Sequence, residues 1–387
     1  MTIAPSSAVP RPPAVARRAV LAAAAALAWC PAADAPSAAA AQEAAPRRPV
    51  HTYSIVARDS ATGELGAAVQ SHWFSVGSNV VWAEAGVGAV ATQSFIEPSY
   101  GPLGLDLMRA GKTARQALDA LIAGDEHPEV RQVAMVDAAG NVAAWTGAGA
   151  IIEAGHVEGR GFSAQANLMG SDRVWPAMAE AFRTAEGDLA ARMLAALEAA
   201  QREGGDIRGR QSAAIVVVRG TSTGRPWADR TVDLRVEDHP DPLVELRRLL
   251  ALERAYDLMN DGDARMTEGD VEGAVAAYGA AEELAPEVVE MVYWHAATLA
   301  GAGRVEESLP LFERVFRAEP RWAVLTPRLP AAGLLPPDDA LIRRILAVEG
   351  GAPGLREIDR LEAQGRYGPG AWQAPAGQAA EEGADGG

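Results

Sequence analysis

The chain has 387 residues, with 35 lysines and arginines against 51 acidic residues, a net charge of −16 and 49% hydrophobic content. This is the composition of a folded protein long enough for two domains, and its acidity excludes a binder of nucleic-acid backbone, which needs a basic face. A single cysteine, Cys30, excludes internal disulfides and cysteine-based metal sites, and Lys112 is the only lysine.

Residues 1–41 read as a secretory signal. Arg11, Arg17 and Arg18 form a positive start, Ala19 to Trp29 an apolar run, and Ala39-x-Ala41 a small-x-small cleavage pattern. The run falls short of the ~20 residues that span a bilayer, so no membrane span is expected. Arg17-Arg18 ahead of Val20-Leu21 fits twin-arginine export as well as general secretion. The expectation is an exported protein, periplasmic or extracellular, with a Pro/Arg-rich tether over 42–51.

From Thr52 the pattern takes on period two. Strands are expected at Thr52–Arg58, Leu65–Gln70, Asn79–Ala83, Gly86–Thr92, Gln132–Asp137, Asn141–Thr146, Phe162–Leu168, Ser212–Val218 and Thr231–Val236. Two helix pairs interrupt them. The first is Leu103–Ala110 with Thr113–Ala123, where Thr113 is a candidate N-cap; the second is Val174–Thr184 with Leu189–Arg202. Hairpins imply antiparallel sheets, and two separate helix pairs must cover them. An αββα sandwich over 52–238 is the economical arrangement, and a two-layer α+β fold satisfies the same periodicity.

Past Asp238–Pro242, read as a linker, the chain turns helical. Gly269, Ala274, Tyr278 and Pro286 recur 34 residues on as Gly303, Ser308, Phe312 and Pro320. A small residue, an aromatic four later and a proline eight beyond is the spacing of a tetratricopeptide-like helical hairpin. The expected helical domain is 243–348, with Asp261 and His295 where the repeat wants leucine. Such repeats bind a protein or peptide partner, or simply stabilise the neighbouring domain. Residues 350–387 are expected to be unstructured, apart from a short helix near Leu355–Leu361.

No nucleophile elbow, His-Glu-x-x-His or phosphate-loop pattern is present, and the six histidines never fall at i, i+4 spacing. Neither a metal nor a cofactor is expected. Polar residues instead gather beside strand ends: Thr52, Ser54, Gln70-Ser71-His72, Thr92-Gln93-Ser94, Gln165-x-Asn167 and Arg210-Gln211-Ser212. Hydroxyls and amides at strand termini suit nucleophile and oxyanion roles, and they equally satisfy end-of-strand hydrogen bonds. Asp206 reads as a turn cap and a partner for Arg210, and His156, after Gly155 in a loop, as an acid–base group.

The run Thr52–Asp59, then Gly63-Glu-Leu-Gly66, Val69-Gln-Ser71, Gly86–Gln93, Tyr100–Leu105, Arg131-Gln132, Asp137, Thr146-Gly147, Gly155-His156 and Gly204–Ala214 resembles the bacterial domain of unknown function 1028 family, itself similar to the N-terminal-nucleophile (Ntn) hydrolases. The resemblance implies the αββα sandwich and an N-terminal nucleophile, whose own α-amine serves as base. By position that residue is Thr52, which requires cleavage of the His51–Thr52 bond. The resemblance also implies Asn167 or Gln93 as oxyanion donors, with Arg210, Ser212, His156, Asp206 and Ser71 around the substrate. Some members of the family carry a C-terminal peptidoglycan-binding segment, which the stretch around Leu329–Leu334 resembles.

The expected function is that of an exported amidohydrolase acting on a small amide or peptide-like substrate. The alternative is a non-catalytic binding module whose repeats hold a protein or cell-wall partner. A third reading keeps an enzyme with Ser71 or Ser94 as internal nucleophile. Analogy with Ntn hydrolases adds a possible homo-oligomer.

Overall fold

The computed structural model describes residues 52–372. The expected signal peptide with Cys30, the tether and the end of the tail (373–387) lie outside the described residues. The chain opens with β1 (Thr52–Arg58), β2 (Leu65–Ser71), a short helix α1 (Gly77–Val80), β3 (Val81–Glu84) and β4 (Gly88–Ser94). Helices α2 (Tyr100–Arg109) and α3 (Ala114–Gly124) follow, then β5 (Arg131–Asp137), β6 (Val142–Thr146), β7 (Gly155–Gly159) and β8 (Phe162–Ala166). A second pair, α4 (Val174–Thr184) and α5 (Leu189–Arg202), precedes β9 (Ser212–Val218), α6 (Pro226–Asp229) and β10 (Arg230–Val236).

The strands form two antiparallel sheets, one of six in the order β10-β9-β2-β1-β8-β7 and one of four in the order β3-β4-β5-β6. Alternation along β1 shows how they stack. Tyr53, Ile55 and Ala57 pack on Met178, Phe182, Met193 and Leu197 of α4 and α5. Val56 instead joins Val69, Ala89, Ala91, Ala134 and Val136, side chains from both sheets. On the other face of the small sheet, Val90, Val133 and Met135 pack on Tyr100, Leu105, Met108 and Leu118 of α2 and α3. Thr113 caps α3 in a capping box with Gln116, as its position ahead of an apolar stripe predicts.

The helical part begins with α7 (Pro242–Glu268), followed by α8 (Val271–Leu284), α9 (Val289–Gly301), α10 (Val305–Ala318), α11 (Arg321–Leu325), α12 (Asp339–Leu346) and α13 (Ala352–Ala363). Asp238–Pro242 is not a free linker between separate bodies. The first turns of α7 insert Leu243, Leu246 and Leu250 into the core over the large sheet, while its later turns give Ala255 and Met259 to the core with α8. Tyr278 lies over Gly262, where an added Cβ would stand 2.8 Å from the ring, and Phe312 lies among Tyr293 and Ala296 in the next helix pair. The polar departures stay out of the cores: Asp261 pairs with Arg265, and His295 Nδ1 lies 2.9 Å from Glu282. The expected tail is ordered through α13, because Ile358 and Leu361 are buried, Ile358 among Leu329, Ile342 and Ile345. Among the described residues no helix is long and apolar enough to cross a membrane.

Candidate functional site

One end of the space between the sheets is polar. Ser54 on β1, Gln93 on β4 and Gln132 on β5 share their faces with apolar residues, Gln165 on β8 shares its face with Ser163, and all four are fully buried. Such groups need partners, since an unpaired buried amide costs about 1–3 kcal/mol. They find them in one another. Gln132 is the junction: its Oε1 accepts from Gln93 Nε2 (2.6 Å) and Asn167 Nδ2 (2.9 Å). Its Nε2 donates to Thr146 Oγ1 (2.9 Å), Ala166 O (2.8 Å) and Gly155 O (3.2 Å). Ser54 Oγ donates to Gln93 Oε1 at 2.6 Å and accepts from Gln165 Nε2 at 2.7 Å.

This network closes on the first described residue. The carbonyl of Thr52 accepts from Asn167 N (3.1 Å), Gln93 Nε2 (3.1 Å) and Asn167 Nδ2 (3.4 Å). Its hydroxyl donates to Ser71 Oγ at 3.3 Å. The backbone around this end is strained. Ser75, Ser94, Glu153 and Leu168 are the four non-glycine residues with positive φ among the described residues. Ser94 ends β4, and the others lie just outside a strand at the Thr52 end: Ser75 after β2, Glu153 before β7 and Leu168 after β8. Left-handed backbone at such residues costs about 1–3 kcal/mol and concentrates where structure serves a site. Ser94 Oγ is also buried without a hydrogen-bond partner.

Of the residues predicted from sequence, Thr52, Ser71, Gln93 and Asn167 come together. Gln93 and Asn167 direct their N–H groups at the Thr52 carbonyl, which makes them clamps on the main chain in this arrangement. His156 lies on β7, an edge strand, not in a loop. Its Nδ1 is 2.9 Å from Thr146 Oγ1, which places it at the outer end of the Gln132 network. Because Thr146 Oγ1 accepts from Gln132, its own proton is free for His156 Nδ1, and this fits a neutral ring. Burial pulls the imidazole below its ordinary pKa; Glu158 opposes this and Arg115 adds to it.

The remaining candidates serve the framework. Ser212 Oγ donates to Trp73 O and accepts from Val76 N at 3.1 Å. Asp206 accepts from His72 N at 3.0 Å and holds Arg208 at 2.8 Å, while Arg210 pairs with Asp241 at the surface. Lys112 is exposed beside the start of α3, where Ala114 N donates to Asp137 at the far end of β5. It stands at the other end of the sheet from Thr52. Sequence reasoning passed over Gln132 and Thr146 as site residues. The available signal was an amide on a strand face otherwise made of Ala134 and Val136. Among the described residues no group of three or more His, Cys, Asp or Glu is placed to hold a metal.

Comparison with known proteins bears on the DUF1028 part of the resemblance. No curated protein matches the chain. The crystal structure of the Silicibacter pomeroyi protein SPO2555, a DUF1028 protein, is 31% identical, over 52% of this chain and 88% of that one, with a TM-score of 0.46. The family model for DUF1028, a family of unknown function, matches residues 52–246, about half of the chain, from β1 into the first turns of α7. The chain belongs to the family of unknown function DUF1028.

Proposed function

We propose that this protein is an exported Ntn-type amidohydrolase acting on a small amide or peptide-like substrate, built on a four-layer αββα sandwich with a tetratricopeptide-like helical region. The observation that carries the reading is the setting of Thr52. It opens a central strand with its carbonyl gripped by three N–H donors and its hydroxyl against Ser71, at the end where the strained backbone gathers. Cleavage of the His51–Thr52 bond would free an α-amine of pKa ~7.7–8, suited to take the hydroxyl proton near neutral pH. Thr52 Oγ1 then attacks the amide carbon, and the proton passes to the leaving amine as the C–N bond breaks. Water hydrolyses the resulting ester and restores the threonine. Gln93 and Asn167 act as positioning residues on the Thr52 main chain.

The test combines the mass of the N-terminus of the secreted protein with turnover of a panel of chromogenic amides. A chain starting at Thr52, active as wild type and Thr52→Ser but not as Thr52→Ala, supports the reading. Full activity in Thr52→Ala overturns it. One observation favours a second reading, a non-catalytic module whose helical repeats hold a protein or cell-wall partner: Thr52 is 0% exposed and its neighbouring donors are already engaged. A mature chain that retains His51 and turns over no amide selects that reading.

A further inference from the structure

At the opposite end of β1 lies a cavity of about 260 Å³ lined by Arg58, Ser60, Gly140, Arg160, Phe182 and Arg192, among others. Thr52 and Arg58 are the two ends of the seven-residue β1, about 20 Å apart, so the cavity is distinct from the site above and independent of the reading given there. Its three arginines come from different segments: the end of β1, the β7–β8 turn and α5.

Their charges are not balanced. Arg192 pairs with Asp59 at 3.1 Å and rests on the Phe182 ring, 4.4 Å from its centre. Arg58 and Arg160 make no ion pair among the described residues, in a chain that is otherwise strongly acidic. Asp59 is itself occupied by the N–H groups of Ala61 and Thr62. Asp137, below the Gly140 turn, is held by Ala139, Asn141 and Ala114. Arg58 is the telling residue. Its Nε is buried without a hydrogen-bond partner. The rest of its side chain is flanked by glycines, since a Cβ at Gly140 would stand 3.6 Å from its Cδ and one at Gly63 3.8 Å from its Nη2. A guanidinium seeks up to five acceptors, and this one is kept bare by neighbours without side chains.

We propose that this cavity binds a phosphate group, either free phosphate or a small phosphomonoester. Three guanidiniums less Asp59 leave two positive charges, which matches the −1.5 to −2 of a phosphomonoester at neutral pH, and arginine forks suit its oxygens. The volume, about 260 Å³ against the ~300–1,000 Å³ of pockets that take drug-sized ligands, has room for a phosphate with a small substituent.

The experiment is isothermal titration of the full chain with inorganic phosphate and, separately, with glycerol 3-phosphate, at fixed ionic strength with chloride as control. The expected result is saturable binding at one site, weakened at least tenfold in Arg160→Ala and in Arg58→Gln. Arg160→Ala lies on an exposed turn and keeps the test valid if Arg58→Gln fails to fold. Tighter binding of the monoester identifies it as the ligand class, and equal or tighter binding of phosphate identifies the free ion. Absence of saturable heat with both ligands, or equal affinity in wild type and Arg160→Ala, overturns the proposal.

Discussion

The two ends of strand β1 solve the same problem in opposite ways. Each places polar groups where two sheets meet. Between the sheets at Thr52 the groups are neutral amides and hydroxyls. Ser54, Gln93, Gln132, Gln165 and Asn167 satisfy one another, with Gln132 using both atoms of its carboxamide, while Ser94 Oγ and the Gln70 carboxamide beside them are buried without a partner. At Arg58 they are cations with too few acceptors, set among glycines. A closed hydrogen-bond network rigidifies and specifies a core, whereas an open, charged cavity adds little to the fold and leaves its donors for something else. Substitutions at the first end should therefore read out in stability, and those at the second in ligand binding.

The largest effect is expected from Gln132→Leu. The side chain is similar in volume, so the loss is polar: Thr146, Gly155 and Ala166 lose a donor, while Gln93 and Asn167 lose an acceptor. The expected cost is about 3 kcal/mol in urea unfolding. A loss below about 1 kcal/mol would mean that the network relaxes without its junction, and the contrast between the two ends would fail.

Gly140→Ala is the matching probe at the other end. Gly140 has φ +85°, where an L residue costs about 1 kcal/mol. The added methyl would make ordinary contact with Arg58 Cδ at 3.6 Å, not a clash. A drop of about 1 kcal/mol with phosphate affinity kept within a few-fold is expected. A much larger drop would show that the Arg58 end is packed as tightly as the Thr52 end.

Much of the scaffold was legible because its signals are local. Helices α4 and α5 fall at their predicted limits, the Thr113 cap is in place, and the glycines at 269 and 303 take φ of +82° and +81° after their helices. β7 was missed because Gly155–Gly159 is short, glycine-ended and polar. It is a strand through pairing with β8 across the two-residue Arg160-Gly161 turn, a local hairpin that its weak alternation did not announce. The start of β3 was misread for the mirror reason, since Gly77–Val80 is a turn of helix whose last residue, Val80, runs straight into Val81 of the strand. At the site, strand-end polarity pointed to Thr52, Ser71, Gln93 and Asn167. Those partners lie on three strands and a loop, so which amide faces which carbonyl depends on sheet stacking. The arginine cavity left no local trace at all, because its three cations come from distant segments.

A smaller effect is expected from pH. The folded pKa of His156 is lowered by burial, and the unfolded chain holds an ordinary value near 6.5. As pH falls through 6.5 the unfolded state takes up its proton first. Stability from this residue is thus complete above about pH 6.5 and is lost as pH drops toward the folded pKa. Thermal unfolding across this range should show the slope in wild type and a shallower one in His156→Gln. Parallel curves would detach His156 from the Thr146–Gln132 network.

The smallest effect on stability, and the most decisive for the comparison, belongs to Arg160→Ala. The residue is exposed, sits in a two-residue turn beside Gly161, and has no ion pair among the described residues to lose. Surface substitutions of this kind stay within about 0.5 kcal/mol. Removing one of several nearby cations also relieves repulsion, so a slight gain in the absence of ligand is consistent with the charge count. In phosphate the order should reverse. Wild type gains stability from a ligand that binds only the folded state, and the variant gains only what the salt gives any protein by exclusion from its surface. Melting curves of both proteins in matched phosphate and chloride separate these terms. A phosphate-dependent shift in wild type that Arg160→Ala lacks assigns the bare guanidiniums to a ligand. Equal shifts in both would leave them as uncompensated surface charge.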